Sequence, residues 1–190
     1  MPMPSLAADR TRALAFDLLI VTGLACLIVV ARIMPHAPNF TPVAASALFA
    51  AAMLHRRALA PLVPVLGLAI GDWIGGGYDT KIMVVVYAAL AWPACASALS
   101  RTLRTPRMIA PVLVASSLLF FLATNFAVWA FSPLYAPGIA GLSKCYIAAL
   151  PFLRNMLEGD LLWGVVLFGG CWLVQGMRAT SAPAPAAIRA

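Results

Sequence analysis

The residues able to do chemistry are few, and they stand in apolar surroundings. His36 and Asn39 fall in MPHAPNF, Asp72 and Trp73 in GDWIGGG, Tyr87 in VVVYAAL, Asn125 in FFLATNF, and Arg154, Asn155, Glu158 and Asp160 in PFLRNMLEGD. Polar groups in or beside hydrocarbon are costly and mark functional sites by default. Their chemistry here is that of recognition. Asp72 and Arg154 would hydrogen-bond polar solute groups, while Trp73, Tyr87 and Trp129 would offer flat apolar contact. His36 would donate a hydrogen bond or, through neutral imidazole, ligate a metal carried by the solute. The parts of an enzyme are missing: H-E-x-x-H, G-x-S-x-G and G-x-x-x-x-G-K-[ST] are absent. The two histidines, His36 and His55, are expected at opposite faces, which excludes a bis-histidine haem or a dinuclear metal site. Cys26, Cys95, Cys145 and Cys171 form no C-x-x-C, so neither a disulfide framework nor a zinc site is expected. The expectation is a protein that is not an enzyme and holds no cofactor or metal of its own.

The elements that position these residues follow from composition. Of 190 residues, 63% are hydrophobic and 10% charged, against about 45–50% and about 25% in a soluble domain. A soluble enzyme and a disordered chain are both excluded. The apolar runs are continuous rather than alternating, which excludes a membrane barrel. They cover Ala13–Ala31, Thr41–Leu54, Leu59–Ile74, Ile82–Leu99, Ile109–Phe131 and Leu157–Met177. The fold class expected is an all-α, six-helix transmembrane bundle over 13–177. A cytoplasmic segment (1–12) precedes it, and a disordered Ala/Pro-rich tail (178–190) follows. The first run is too long for a signal-peptide core and is read as an uncleaved helix. The second and third runs are short for a span of ~20 residues, so each is read as a short span or one arm of a re-entrant pair. Thr41-Pro42 suggests an N-cap, Gly75-Gly76-Gly77 a helix stop, and Pro93 a kink.

Charge sets the orientation. With the N-terminus inside, nine basic residues (Arg10, Arg12, Arg56, Arg57, Arg101, Arg104, Arg107, Arg178 and Arg189) lie on inner segments. Four (Arg32, Lys81, Lys144 and Arg154) lie on outer ones. The positive-inside rule then places both termini in the cytoplasm of a cell whose inner (plasma) membrane holds the protein. The net charge of +7 is scattered in ones to threes, so no nucleic-acid face is expected. On this topology His36, Asn39, Asp72, Tyr87, Asn125, Arg154, Asn155 and Asp160 fall in the outer half, with the inner halves nearly pure hydrocarbon. That points to an outward-facing solute pocket rather than a channel. Structural alternatives stand beside it: Arg154 and Asp160 snorkelling to headgroups, Asp72 pairing with Arg154, and Asn125 bonding between helices. Asp17 is read as structural, near the inner interface, and His55 as a topology marker.

The stretches MPHAPNFTPVAASALFAA, the GD closing the third run, and SSLLFFLATNFAVW…YAPGIAGLSKCYIAALPFLRNMLEGDLLW resemble the DUF6580 family, for which transport is the expected role, over about residues 30–170. At one remove the chain is similar to the substrate-binding S components of ECF-type vitamin transporters, closest to the solitary cobalamin-type branch. That resemblance implies six helices, both termini inside and an outer vitamin pocket. His36, Asp72, Tyr87 and Arg154 match its pocket positions, with a cobalt-containing corrinoid as the leading solute. Two departures count against the details. GGGYDTK lacks the cysteine that part of the branch uses as a cobalt ligand. The first run lacks the A-x-x-x-A pattern that docks a shared energising module, and only Ala47 and Ala51, in the second run, have the spacing. The partners expected are the bilayer and a small solute, with an energising module lacking a docking motif. The competing class is a membrane scaffold or assembly protein acting through helix contacts.

Overall fold

Apolar runs of this length satisfy their backbone only as helices once water is excluded. In the computed structural model the described residues, 6–180, are almost entirely helical and include no strand. The helices are α1 (Leu6–Ile33), α2 (Val43–Met53), α3 (Leu62–Gly75), α4 (Thr80–Leu99), α5 (Pro106–Phe131), α6 (Ile139–Gly164) and α7 (Gly170–Thr180). A π-helical segment, Val165–Gly169, fuses α6 and α7 into one rod, so the bundle has six rods. Five stretches are long and apolar enough to cross a bilayer: Ala8–Ile33, Arg57–Gly75, Thr80–Leu99, Pro106–Phe131 and Ile139–Met177. Leu19, Val84, Ile147 and Val165 present bare apolar side chains around the outside, a surface suited to lipid rather than water. The chain is an all-α, multi-pass membrane protein.

Three boundaries differ from the sequence expectation. α1 begins at Leu6, so Arg10 and Arg12 are helical rather than part of a leading segment. Arg12 and Arg32 then stand roughly 30 Å apart along the axis, the thickness of a hydrocarbon core. The last rod begins at Ile139, not Leu157, because charged residues within a helix interrupt hydropathy without interrupting hydrogen bonding. It also continues to Thr180, into the expected tail, whose residues 181–190 lie outside the described ones, as do 1–5.

Local chemistry sets the ends. The Asp79 carboxylate accepts from the amides of Lys81 and Ile82 at 2.9 and 3.2 Å and starts α4. Gly76 ends α3 in the left-handed region at φ 90°, as the glycine triplet predicts. Arg104 donates to the carbonyls of Ser97 and Ala98 near the end of α4. Burial, then the neighbouring Arg57 and Arg101, hold its pKa below the ordinary arginine value. Three arginines thus crowd one end of the bundle, called here the basic end. Pro42, not Thr41, precedes α2, and no side chain caps that helix. α4 runs through Pro93 without a break in its helix.

α2 is the organising element. It is built of small residues, with Val43, Ala44, Ala45, Ala47, Leu48, Ala50 and Ala51 all at most 1% exposed. It touches α1, α3, α4, α5 and α6. At 11 residues it is about 16 Å long, half a bilayer core. Segment 34–42 leads into its start, with residues 34–39 exposed, Phe40 and Thr41 half-buried and Pro42 buried. The end above it is called the open end.

Candidate functional site

Two adjoining cavities lie where α2 falls short. The larger, about 350 Å³, is walled by Val86 of α4, Phe120, Phe121 and Asn125 of α5, and Ala149 and Phe152 of α6. The smaller, about 250 Å³, is lined by Arg32, Thr41 and Tyr78 among others. Asn39, Val86, Phe120 and Met156 line both, which makes them two chambers of one site. The larger is mainly apolar and aromatic; the smaller, with Arg32, Asn39, Thr41 and Tyr78 facing Val86, Leu90, Phe120 and Met156, is the more polar and is called the polar chamber.

Segment 34–42 forms the partition. Asn39 adopts φ 64°, a left-handed conformation that asparagine tolerates better than most residues. Its carbonyl accepts from the Thr41 amide at 3.1 Å, and the Phe40 amide donates to the Ala37 carbonyl at 3.0 Å. The Asn155 amide of α6 donates to the Pro38 carbonyl at 3.1 Å and tethers the segment. Gly159 admits it, since a Cβ there would sit 3.1 Å from the Phe40 Cα.

The polar chamber is built on a charged triad. Arg32 at the end of α1 pairs with Asp72 of α3, and the Tyr87 hydroxyl of α4 donates to the other Asp72 oxygen at 3.0 Å. Arg32 fits because Gly71 has no side chain: a Cβ there would meet the Arg32 Nε at 2.6 Å. One turn earlier, Gly67 similarly receives Ile28. This Gly67-x-x-x-Gly71 spacing brings α1 and α3 close in the manner of small-residue membrane contacts. Arg32 Nε is buried against Gly71 without a partner and Nη2 is on Asp72, which leaves Nη1 as the donor with no bond among the described residues. Tyr78, in the 76–79 connection, lines the same chamber. Burial and then nearby Asp72 push its pKa up to about 12, so it remains a neutral donor at physiological pH.

The sequence candidates separate accordingly. Asn39 and Asn125 line the cavities, and Asp72 and Tyr87 stand directly behind Arg32. Asn125 spends its amide on the Phe121 carbonyl at 2.8 Å, one turn back in its own helix. Asn155 acts through the tether. His36 is exposed, and its Nδ1 donates to the Met34 carbonyl at 2.7 Å. Trp73 is 83% exposed and lines neither chamber. Arg154 is also exposed and pairs with Glu158 at 2.9 Å, one turn along α6; the partner of Asp72 is Arg32. Trp129 donates from its indole to the Ala136 carbonyl and closes the 132–138 connection. Asp160 does not snorkel: it is 2% exposed and accepts from the Ser117 hydroxyl at 2.7 Å.

At the basic end, Asp17 is fully buried rather than turned to the interface. It accepts from the His55 and Arg56 amides, each at 2.9 Å, and from His55 Nδ1 at 3.0 Å. His55 is therefore part of a latch between α1 and the turn after α2. Ala47 and Ala51 are fully buried in α2 and offer a docking partner no surface. Among the described residues no three His, Cys, Asp or Glu side chains converge as a metal-ligand set.

The sequence alone does not single out Arg32, because a lone arginine ending an apolar run reads as a topology charge. The available signal was the Gly-x-x-x-Gly spacing just before Asp72. The chain belongs to DUF6580, a family of unknown function, whose model matches residues 12–184. No curated protein and no solved structure matches it.

Proposed function

We propose that this DUF6580 protein binds a small, vitamin-like solute in the two-chambered cavity of its open end and mediates its uptake across the membrane. The observation that carries the reading is the cavity itself. A central helix half a bilayer long leaves room lined by α1, α4, α5 and α6, and the lining becomes more polar across Asn39. A mainly apolar cleft with a few convergent polar groups is the usual form of a small-molecule site, at roughly 300–1,000 Å³. The charge count supports an open end facing outward, with both termini in the cytoplasm and the inner membrane as location. The chamber sizes favour a solute of one to three rings. A corrinoid, the solute suggested by the vitamin-transporter resemblance, requires the 34–42 segment to move aside. With no surface given to an Ala-x-x-x-Ala contact, a solitary carrier is the preferred form over one served by a shared energising module.

The test is mass spectrometry of small molecules that co-purify with the detergent-extracted protein. The control is Ala149→Phe, which places a ring inside the larger chamber. A compound enriched with the native chain and lost from the variant is the expected result. Equal small-molecule content in both preparations would favour a membrane scaffold acting through helix contacts.

A further inference from the structure

Among the residues that line the two chambers, Arg32 is the one charged side chain, and it is already paired with Asp72. The Tyr87 hydroxyl occupies the second Asp72 oxygen, so the carboxylate is engaged on both sides. The charges that border the site therefore cancel before any solute arrives. Meanwhile the Arg32 Nη1 makes no hydrogen bond among the described residues, and Thr41, Tyr78 and Asn39 add hydroxyl and amide groups in the same chamber. The polar chamber is thus rich in donors and without net charge.

A solute carrying a net charge would bring an uncompensated ion into a largely apolar, partly enclosed space, which costs far more than a neutral group that finds its hydrogen bonds. We infer that the site selects an uncharged solute: a flat apolar body against Phe120, Phe121 and Phe152, and a neutral acceptor, such as a carboxamide carbonyl or ring nitrogen, against Arg32. Asp72 acts as a specificity-determining residue without touching the solute, because it cancels the charge of the residue that does. This inference rests on the binding reading above and names the chemical class the same site takes.

Three probes of one shape and different charge test it: 2-naphthamide, 2-naphthoate and 2-naphthylmethylammonium. Binding is measured on the full chain in lipid nanodiscs, and the signal of Ala149→Phe is subtracted to remove partition into lipid. The native protein is expected to bind the amide about tenfold or more tightly than either ion. Asp72→Asn leaves Arg32 uncompensated and is expected to turn the preference to naphthoate. Arg32→Gln leaves Asp72 uncompensated and is expected to turn it to the ammonium. Unfolding removes all binding and cannot invert a preference in opposite directions. If both single variants bind nothing, the double variant Arg32→Gln, Asp72→Asn, again without net charge, must restore the preference for the amide. Its failure to do so overturns the inference. Tighter native binding of either ion overturns it too, while leaving the cavity reading intact. Absence of any binding above the Ala149→Phe signal removes the cavity reading itself.

Discussion

Asp17, Asp72 and Asp160 are all buried, and each is satisfied in a different way: by two amides and an imidazole, by an arginine and a tyrosine, and by a serine. Removing Asp17 orphans the His55 and Arg56 amides, and each buried unmade donor costs ~1–3 kcal/mol. Asp17→Ala is therefore expected to lower stability by about 3 kcal/mol, read from equilibrium unfolding in mixed micelles; a loss within ~0.5 kcal/mol would show the latch to be ornamental. Tyr78 gives a pH signature. Its folded pKa of about 12 lies above the ordinary phenol value, so the unfolded chain releases its proton first as pH rises. Its contribution is complete below about pH 10 and is lost toward about pH 12. Tyr78→Phe should flatten the fall of the unfolding midpoint over that window. At this scale the sequence was legible where a polar residue sat among apolar ones, as with Asp72, Tyr87 and Asn125. It was illegible for Arg32 and Arg154, because two arginines at apparent helix ends look alike until the facing helix is known. Arg32 meets Gly71, whereas Arg154 meets its own helix and the outside.

Among elements, the α1–α3 contact depends on two missing side chains. A Cβ at Gly67 would lie 2.6 Å from Ile28, and overpacking of this kind costs ~1–3 kcal/mol. Gly67→Val is expected to destabilise by that amount while leaving the cavity lining intact. Gly71→Val is expected to displace Arg32 as well, so its loss of probe binding should exceed that of Gly67→Val at equal stability. The two variants compared by unfolding and by binding of 2-naphthamide separate packing from positioning; equal binding losses would contradict the positioning role of Gly71. The helix stop at Gly75-Gly76-Gly77 could be read from sequence, since only glycine takes the left-handed turn readily. The start of α6 could not. Lys144 and Arg154 depress hydropathy between Ile139 and Leu157, yet Lys144 is exposed and Arg154 pairs with Glu158 one turn along the same helix.

For the whole molecule, the six-helix class was legible because composition alone excludes water as the solvent of most side chains. The cavity was not, because it arises from a mismatch of lengths: α2 has 11 residues beside an α5 and an α6 of 26 each. Hydropathy marks a short run but not what fills the space above it. A single cysteine in the chamber wall can report on that space. Val128 of α5 lines the larger chamber and is half-buried, whereas the native Cys145 in the same wall is 1% exposed and donates from its thiol to the Asn125 carbonyl at 3.3 Å. The most direct measurement is modification of a chain that carries Val128→Cys alone, with Cys26, Cys95, Cys145 and Cys171 changed to serine, by a small membrane-impermeant methanethiosulfonate. A two-chambered cavity open to the outside predicts reaction in intact cells and protection when Ala149→Phe fills the chamber. Reaction only in inverted vesicles, or an equal rate with and without the added ring, would contradict it.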